Sequence, residues 1–229
     1  MNNRIKKLEE KVFQSQANAH PTDESTRRAR NYIESVLPSQ NKFISSVCWK
    51  WVPSHYYTLS LKDRAAILQA SSTNQLCKSM LMENRAYKPD SPSSNNKRND
   101  FDLNRTNSRF YLVVVQYEAV VNAKKLESEI RGLRPFQSGL RLSKTDLDFQ
   151  MASSEDNDKV TGYKHNSVTP FGLLDTSVPV ILSKAIVEQV KNPAFIWMGG
   201  GHVDLKLGMA VCEFVTAMDA LVLDVSDIK

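Results

Sequence analysis

A lysine set among apolar residues, Leu76-Cys77-Lys78-Ser79-Met80-Leu81-Met82, is the position in this sequence best suited to chemistry. Side chains alternate along a strand, so Lys78 shares a face with Leu76, Met80 and Met82. An ammonium there loses water and needs a partner, which a ligand oxygen can be. The plainer reading is a strand-end lysine whose head reaches solvent. Two later stretches add groups that suit a ligand: Thr161-Gly162-Tyr163-Lys164-His165-Asn166-Ser167-Val168-Thr169-Pro170-Phe171-Gly172 and Trp197-Met198-Gly199-Gly200-Gly201-His202-Val203-Asp204-Leu205-Lys206-Leu207-Gly208. In the first, Pro170 restricts both itself and Thr169, so a rigid turn over Asn166, Ser167, Val168, Thr169 and Pro170 can hold main-chain N–H and C=O groups outward. Such groups suit an α-amino group or a carbonyl, although an ordinary loop entering a strand has the same composition. In the second, Gly199-Gly200-Gly201 follows a candidate strand, and its missing side chains let a ligand or phosphate approach the backbone. A hairpin turn also accounts for three glycines.

Other chemistries find less support. The glycine run lacks both the G-x-x-x-x-G-K-[ST] phosphate loop and the third glycine of G-x-G-x-x-G, which disfavours nucleotide binding. His165, His202 and Asp204 are types that ligate zinc, but no H-x-x-x-H or H-E-x-x-H spacing joins them, so no metal and no other cofactor is expected. Either histidine could serve as an acid or base near neutral pH. No serine sits in a G-x-S-x-G elbow, Cys77 points away from the Lys78 face, and Cys212 lies in a helical pattern, so covalent catalysis is not expected. Trp49, Trp51, Tyr56 and Tyr57 flank Lys50 and could stack bases or pack the core.

The elements that must position these residues read as one α/β domain. The 229 residues, 41% of them hydrophobic, suffice for one sizeable core with appendages. Residues 3–16 carry Ile5, Leu8 and Val12 at helical spacing, and a second helix at 25–37 ends at Pro38, giving a helical extension over 1–40. A domain over 41–229 follows. Within it, strands are expected at 44–51, around Lys78, at 110–117, 178–182, 194–198, 203–207 and 220–225. Helices are expected from Ser60, from Asn122 to about Arg131, at 183–190 and at 209–218, and a Ser143/Asp146 capping box should open another through Phe149. Residues 88–108 and 153–159 read as polar loops, the first long and mobile. The result is a mixed, curved sheet surrounded by helices.

Composition limits partners and compartment. No stretch approaches the ~20 apolar residues of a spanning helix, the start Met1-Asn2-Asn3-Arg4 lacks the apolar region of a secretory signal, and the expectation is cytoplasmic. Cys48, Cys77 and Cys212 have no C-x-x-C spacing and are expected reduced. A net charge of +5 and a pI near 9.0 fit a partner carrying phosphates, although the excess of 30 basic over 25 acidic residues is modest.

At these residues the chain resembles the YbaK and prolyl-tRNA-synthetase-associated editing domain family, and within it the freestanding eukaryotic members. The resemblance rests on Leu76-Cys77-Lys78-Ser79, the stretch 162–172, Pro179-Val180-Ile181-Leu182-Ser183 and the stretch 199–208, and it spans about 44–229. It implies a mixed, barrel-like sheet with surrounding helices and hydrolysis of the ester of mischarged aminoacyl-tRNA. It places Lys78 at the family's active-site lysine, the G-x-x-x-P loop at Asn166 to Pro170 with asparagine for the opening glycine, and the later glycine turn at Gly199, Gly200 and Gly201. By the same resemblance, His202 is the candidate for the binding histidine of some members. By this resemblance the partners are aminoacyl-tRNA and a synthetase or synthetase complex, with alanyl- or cysteinyl-tRNA for proline as candidate substrates. Two other readings stay open: a non-catalytic protein docking through residues 3–37, and a metal-dependent hydrolase using His165, His202 and Asp204.

Overall fold

A computed structural model of the chain describes residues 23–89, 105–134 and 141–228. The expected amphipathic stripe at 3–16 and most of the expected loop at 88–108 lie outside these residues. The fold is built around the apolar run Phe110–Gln116, which forms strand β3 and has almost no polar side chain to offer solvent. Such a strand needs cover on both faces. The preceding strands are β1 (Cys48–Trp51) and β2 (Cys77–Asn84). Those that follow are β4 (Ala119–Val121), β5 (Phe149–Met151), β6 (Val180–Ser183), β7 (Phe195–Gly199), β8 (Leu205–Ala210), β9 (Leu221–Leu223) and β10 (Ser226–Ile228).

The five-stranded sheet runs β5-β2-β3-β6-β9. β2 pairs antiparallel with β3 and β5, whereas β3, β6 and β9 are mutually parallel neighbours. A three-stranded antiparallel sheet, β1-β8-β7, abuts it through a bridge between Leu76 and Trp197, and β10 pairs with β4. The fold is therefore mixed α/β with a mixed five-stranded sheet and several helices, as expected, and the sheets do not close into a barrel.

The helices include α1 (Glu24–Asn31), α2 (Leu61–Leu68), α3 (Ala123–Gly132), α4 (Ser154–Thr161), α5 (Lys184–Gln189) and α6 (Val211–Met218). All but α2, which packs under the smaller sheet, contribute to the cores on the two faces of β3. On one face Tyr111, Val113 and Val115 pack with Leu126 and Ile130 of α3. The alternate residues face two other clusters: Val114 meets Leu182, Ile186 and Phe214, and Leu112 meets Ala29 and Tyr163. This is the period-2 division of a strand between two cores.

α1 continues through a π-helical turn, Tyr32–Val36. Ala29, Ile33 and Leu37 along this segment are buried in the clusters beside β3, so the second helix of the expected extension packs into the domain. Arg28 ties it to the loop that follows α4: its guanidinium donates to the carbonyls of Gly172 at 2.6 Å and Gly162 at 2.7 Å and lies 4.6 Å from the Tyr163 ring centroid.

Three local expectations need correction. The Ser143/Asp146 capping box forms, but it opens only a 3₁₀ turn, Lys144–Asp146, because Phe149 is taken into the sheet opposite Asn84. The polar stretch at 153–159 is helix α4, started by the Ser153 side chain accepting from the Asp156 N–H at 3.0 Å. The first strand is shorter than 44–51, since residues 45 and 46 bind Glu213 of α6 instead of a strand partner.

Glu213 accepts from the N–H groups of Ser45 at 3.1 Å and Ser46 at 3.0 Å, and from both serine hydroxyls. The Ser46 hydroxyl oxygen in turn accepts from the N–H of Ala210, just before α6. Partial burial pushes the Glu213 carboxyl up, but the hydrogen bonds from both serines outweigh it and bring it down to about 2. Its folded value lies below the ordinary 4.5, so its stabilisation is present above pH 4.5 and lost as pH falls through about 2. Glu213→Gln is expected to destabilise the fold at pH 7 by about 1–2 kcal/mol after allowance for solvent screening. The difference from the parent, measured by urea unfolding, should shrink as pH falls below 4.5.

Candidate active site

The seam between the two larger sheets opens into a cleft of about 330 Å³. Residues 77–81 of β2 form one side, and Met151, Ala152, Ser154, Asn157 and Asp158 form the α4 side. His165, Asn166 and Val168 close it from the loop after α4, with Tyr57, Tyr117 and Gly199 completing the lining. The Lys78 side chain is half-buried, and its Nζ donates to the carbonyl of Tyr117 at 3.3 Å. Cys77 beside it is fully buried, and burial pushes its thiol up, so the sulfur is held neutral rather than as a nucleophilic thiolate.

The loop over 164–169 is shaped mostly by its own backbone. Ser167 is buried; its N–H and hydroxyl both donate to the Lys164 carbonyl, at 3.0 and 2.7 Å. Its carbonyl accepts from Gly201 at 3.1 Å, which fastens the loop to the glycine turn. Asn166 has φ of 65°, the left-handed region that glycine enters freely and that asparagine tolerates better than most residues. An asparagine in the place of a loop-opening glycine is thus conformationally conservative.

Gly199 shows why a side chain is excluded at the end of β7: a Cβ there would lie 2.5 Å from the Val168 carbonyl oxygen. Gly201, with φ of 91°, faces the start of α1 instead, and its carbonyl accepts from the Ser25 hydroxyl at 2.7 Å. Gly200 packs between Leu205 and Trp49. The close approaches at all three glycines are therefore made by the chain itself. His202 lies on the turn before β8, its ring 5.3 Å from that of Trp51 and its Nδ1 accepting from the Asp204 N–H at 3.1 Å.

Of the residues singled out from sequence, Lys78, Asn166, Val168 and Gly199 share the cleft, and His165 joins them. Ser167 and Thr169 are buried behind its wall, Gly200, Gly201 and His202 face the α1 and β1 side, and Pro170 lines a separate cavity near Pro179 and Met218. Among the described residues, no group of three or more His, Cys, Asp and Glu side chains is placed to hold a metal ion.

Among the described residues, the most deeply buried lysine is at a position sequence reasoning passed over. Lys206 on β8 is 3% exposed, donates to the Tyr57 hydroxyl at 2.9 Å and the Val203 carbonyl at 2.7 Å, and lies 4.5 Å from the Tyr57 ring centroid. Its setting, Leu205-Lys206-Leu207, is the same pattern that drew attention to Lys78. The α4 residues at the cleft were equally signalled by Ser153 standing three residues before Asp156.

Burial pulls the Lys206 ammonium down to about 7; Asp204 opposes that shift and Arg64 reinforces it. The folded value lies below the ordinary 10.5, so between the two the unfolded chain holds a proton that the folded chain has released, and stability rises with pH. Burial pushes the Tyr57 hydroxyl in the opposite direction, upward, which limits the useful window to pH below the ordinary tyrosine value of 10.0. Chemical unfolding at pH 7 to 9 is expected to show a gain in stability that Lys206→Met lacks. Gly199→Ala, which drives a methyl group against the Val168 carbonyl, is expected to cost about 1–3 kcal/mol in the same assay.

No protein-family model matches the sequence, and no curated protein matches it. Solved structures do. A proposed trans-editing enzyme for prolyl tRNA synthetase superposes with a TM-score of 0.60 at 16% identity, over 90% of this chain and 98% of its own. A scaffold protein used for computationally designed presentation of linear epitopes matches with a TM-score of 0.59 at 15% identity, over 90% and 98% of the two chains. A hypothetical protein matches with a TM-score of 0.56 at 16% identity, over 86% and 99%. At these identities the likeness is one of architecture, and this chain has the fold of those proteins over nearly their whole length.

Proposed function

We propose that this protein is an aminoacyl-tRNA deacylase acting in trans, hydrolysing the ester of mischarged tRNA without a metal ion. The observation that carries this reading is the placement of the Lys78 strand opposite the loop of Asn166 and Val168 across a small cleft. Its support from outside the site is the shared fold with a proposed trans-editing enzyme for prolyl tRNA synthetase. A cavity of about 330 Å³ is at the small end of ligand sites. It suits a small aminoacyl group and the adjoining ribose, with the rest of the tRNA outside.

Such a site needs no strong nucleophile. Water adds to the ester carbonyl, the tetrahedral oxyanion collapses, and the terminal ribose oxygen leaves with a proton to give free amino acid and uncharged tRNA. The protein's contribution is position and charge: Lys78 faces the phosphate or ester oxygens, and the loop's main-chain groups hold the aminoacyl end. A separate editing site is useful because one methylene is worth only about 1–3 kcal/mol to a synthetase pocket. Alanyl- and cysteinyl-tRNA for proline are the proposed substrates, with cytoplasmic translation as the setting and a synthetase as a further partner.

The alternative of a non-catalytic protein docking through residues 3–37 would have to use the stripe at 3–16, outside the described residues, because Ala29 and the following Ile33 and Leu37 are buried in the domain. Incubation with a panel of aminoacyl-tRNAs tests the proposal directly. The expected result is selective loss of a small mischarged aminoacyl group, and Lys78→Ala should slow it about 100-fold or more while leaving the circular dichroism spectrum unchanged. Equal turnover by that variant would remove Lys78 from the mechanism. Inertness toward the whole panel would remove the proposed function.

A further inference from the structure

Lys206 and Tyr57 belong to a chain of contacts that runs from the core of the smaller sheet to the wall of the cleft. The Lys206 ammonium donates to the Tyr57 hydroxyl at 2.9 Å, and that hydroxyl donates to the Asn166 carbonyl at 2.8 Å. Arg64 holds the other end of the tyrosine, donating to the Tyr57 carbonyl at 2.5 Å and to the Leu59 carbonyl at 3.0 Å. The ring is thereby fixed from its backbone to its hydroxyl, along one side of the cleft.

The chemistry of the acceptor decides the direction of the chain. A carbonyl only accepts, so the Tyr57 hydroxyl donates to Asn166 and its oxygen is left to accept from the Lys206 nitrogen, which keeps donor protons whether charged or neutral. With Lys206 donating, the proton of the Tyr57 hydroxyl is directed to the Asn166 carbonyl. That carbonyl belongs to Asn166, whose left-handed conformation asparagine tolerates without preferring it over the ordinary regions. Burying a polar amine is costly, and an apolar side chain of similar volume would pack at least as well, so its presence is best explained by the hydrogen bond it supplies to Tyr57.

We propose that the chain Lys206, Tyr57, Asn166 is a positioning device that sets the separation between the loop wall and the Lys78 strand, and so determines which acyl groups the cleft admits. The specificity role rests on reading the cleft as an aminoacyl-ester site; the pinning of the loop does not. A wall that can yield discriminates poorly, because a pocket separates acyl groups differing by a methylene only when the larger one forces a strained fit.

Tyr57→Phe and Lys206→Met each break one link, and the second replaces the ammonium by an apolar group of similar length. Two measurements apply to both variants and to the double variant. The first is amide hydrogen exchange at residues 166–168, which should quicken in each while the β3 amides stay protected. The second is the ratio of kcat/KM for alanyl- over prolyl-tRNA, which should fall at least about tenfold in each. The double variant should lose no more than the worse single one. Unchanged loop exchange, or losses that add, would overturn the device. Faster exchange with an unaltered ratio would overturn its part in specificity. A parent protein that deacylates nothing would instead defeat the proposed function and leave the exchange result to decide the pin.

Discussion

Everything in this domain is arranged to cover a strand that cannot face water on either side. Phe110–Gln116 carries five consecutive apolar side chains between its ends, Tyr111 to Val115, all of them buried. Roughly 25 cal/mol per Å² of apolar surface removed from water favours that burial. The strand's alternation divides the interior into a core under α3 and cores under α1, α5 and α6. The antiparallel partner β2 is bound in full register along β3, from Cys77 opposite Gln116 to Glu83 opposite Phe110. The position of Lys78 opposite Val115 is a consequence of that register.

The cleft lies where this sheet meets the smaller one, and its shape depends on close backbone contacts rather than on packed side chains. The loop after α4 is held against the end of β7 because Gly199 has no Cβ to fend off the Val168 carbonyl. It is held from behind by the bond from Gly201 to Ser167 and from α1 by the guanidinium of Arg28 on the carbonyls of Gly162 and Gly172. The Ser167 and Gly172 carbonyls in these contacts are hydrogen-bonded, which favours one arrangement over its neighbours. Residues 77–81 of β2 thus line a cavity whose far wall is fixed by parts of the chain remote in sequence.

The two lysines of apolar strands illustrate how environment separates roles. Lys78 is half-buried, reaches the Tyr117 carbonyl and lines the cleft. Lys206 is enclosed by Tyr57, Tyr56 and the Val203 carbonyl, and burial pulls its ammonium down toward neutrality. The first lines the cleft, whereas the second hydrogen-bonds its tyrosine neighbour. Sequence periodicity marks both in the same way, since it reports that a charge falls on a strand and not which side of the sheet is open.

Local physics made a good part of this protein legible from its residues alone. Strand β3, the Asn122 and Ser60 caps, the α5 and α6 patterns and the mixed α/β class follow from periodicity, capping and turn chemistry that act within a few residues. Lys78 and the Asn166, Val168 and Gly199 backbone sites were visible as residue types in suitable settings. What required the folded chain was contact between distant segments: the capture of Phe149 by β2, the seating of α1 in the core, and the turning of Gly200, Gly201 and His202 away from the cleft. The pairing of Lys206 with Tyr57 is of the same kind, for the two residues lie 149 positions apart. Propensity and spacing are properties of neighbours along the chain, whereas desolvation and hydrogen-bond partnership are set only when the sheets close against one another.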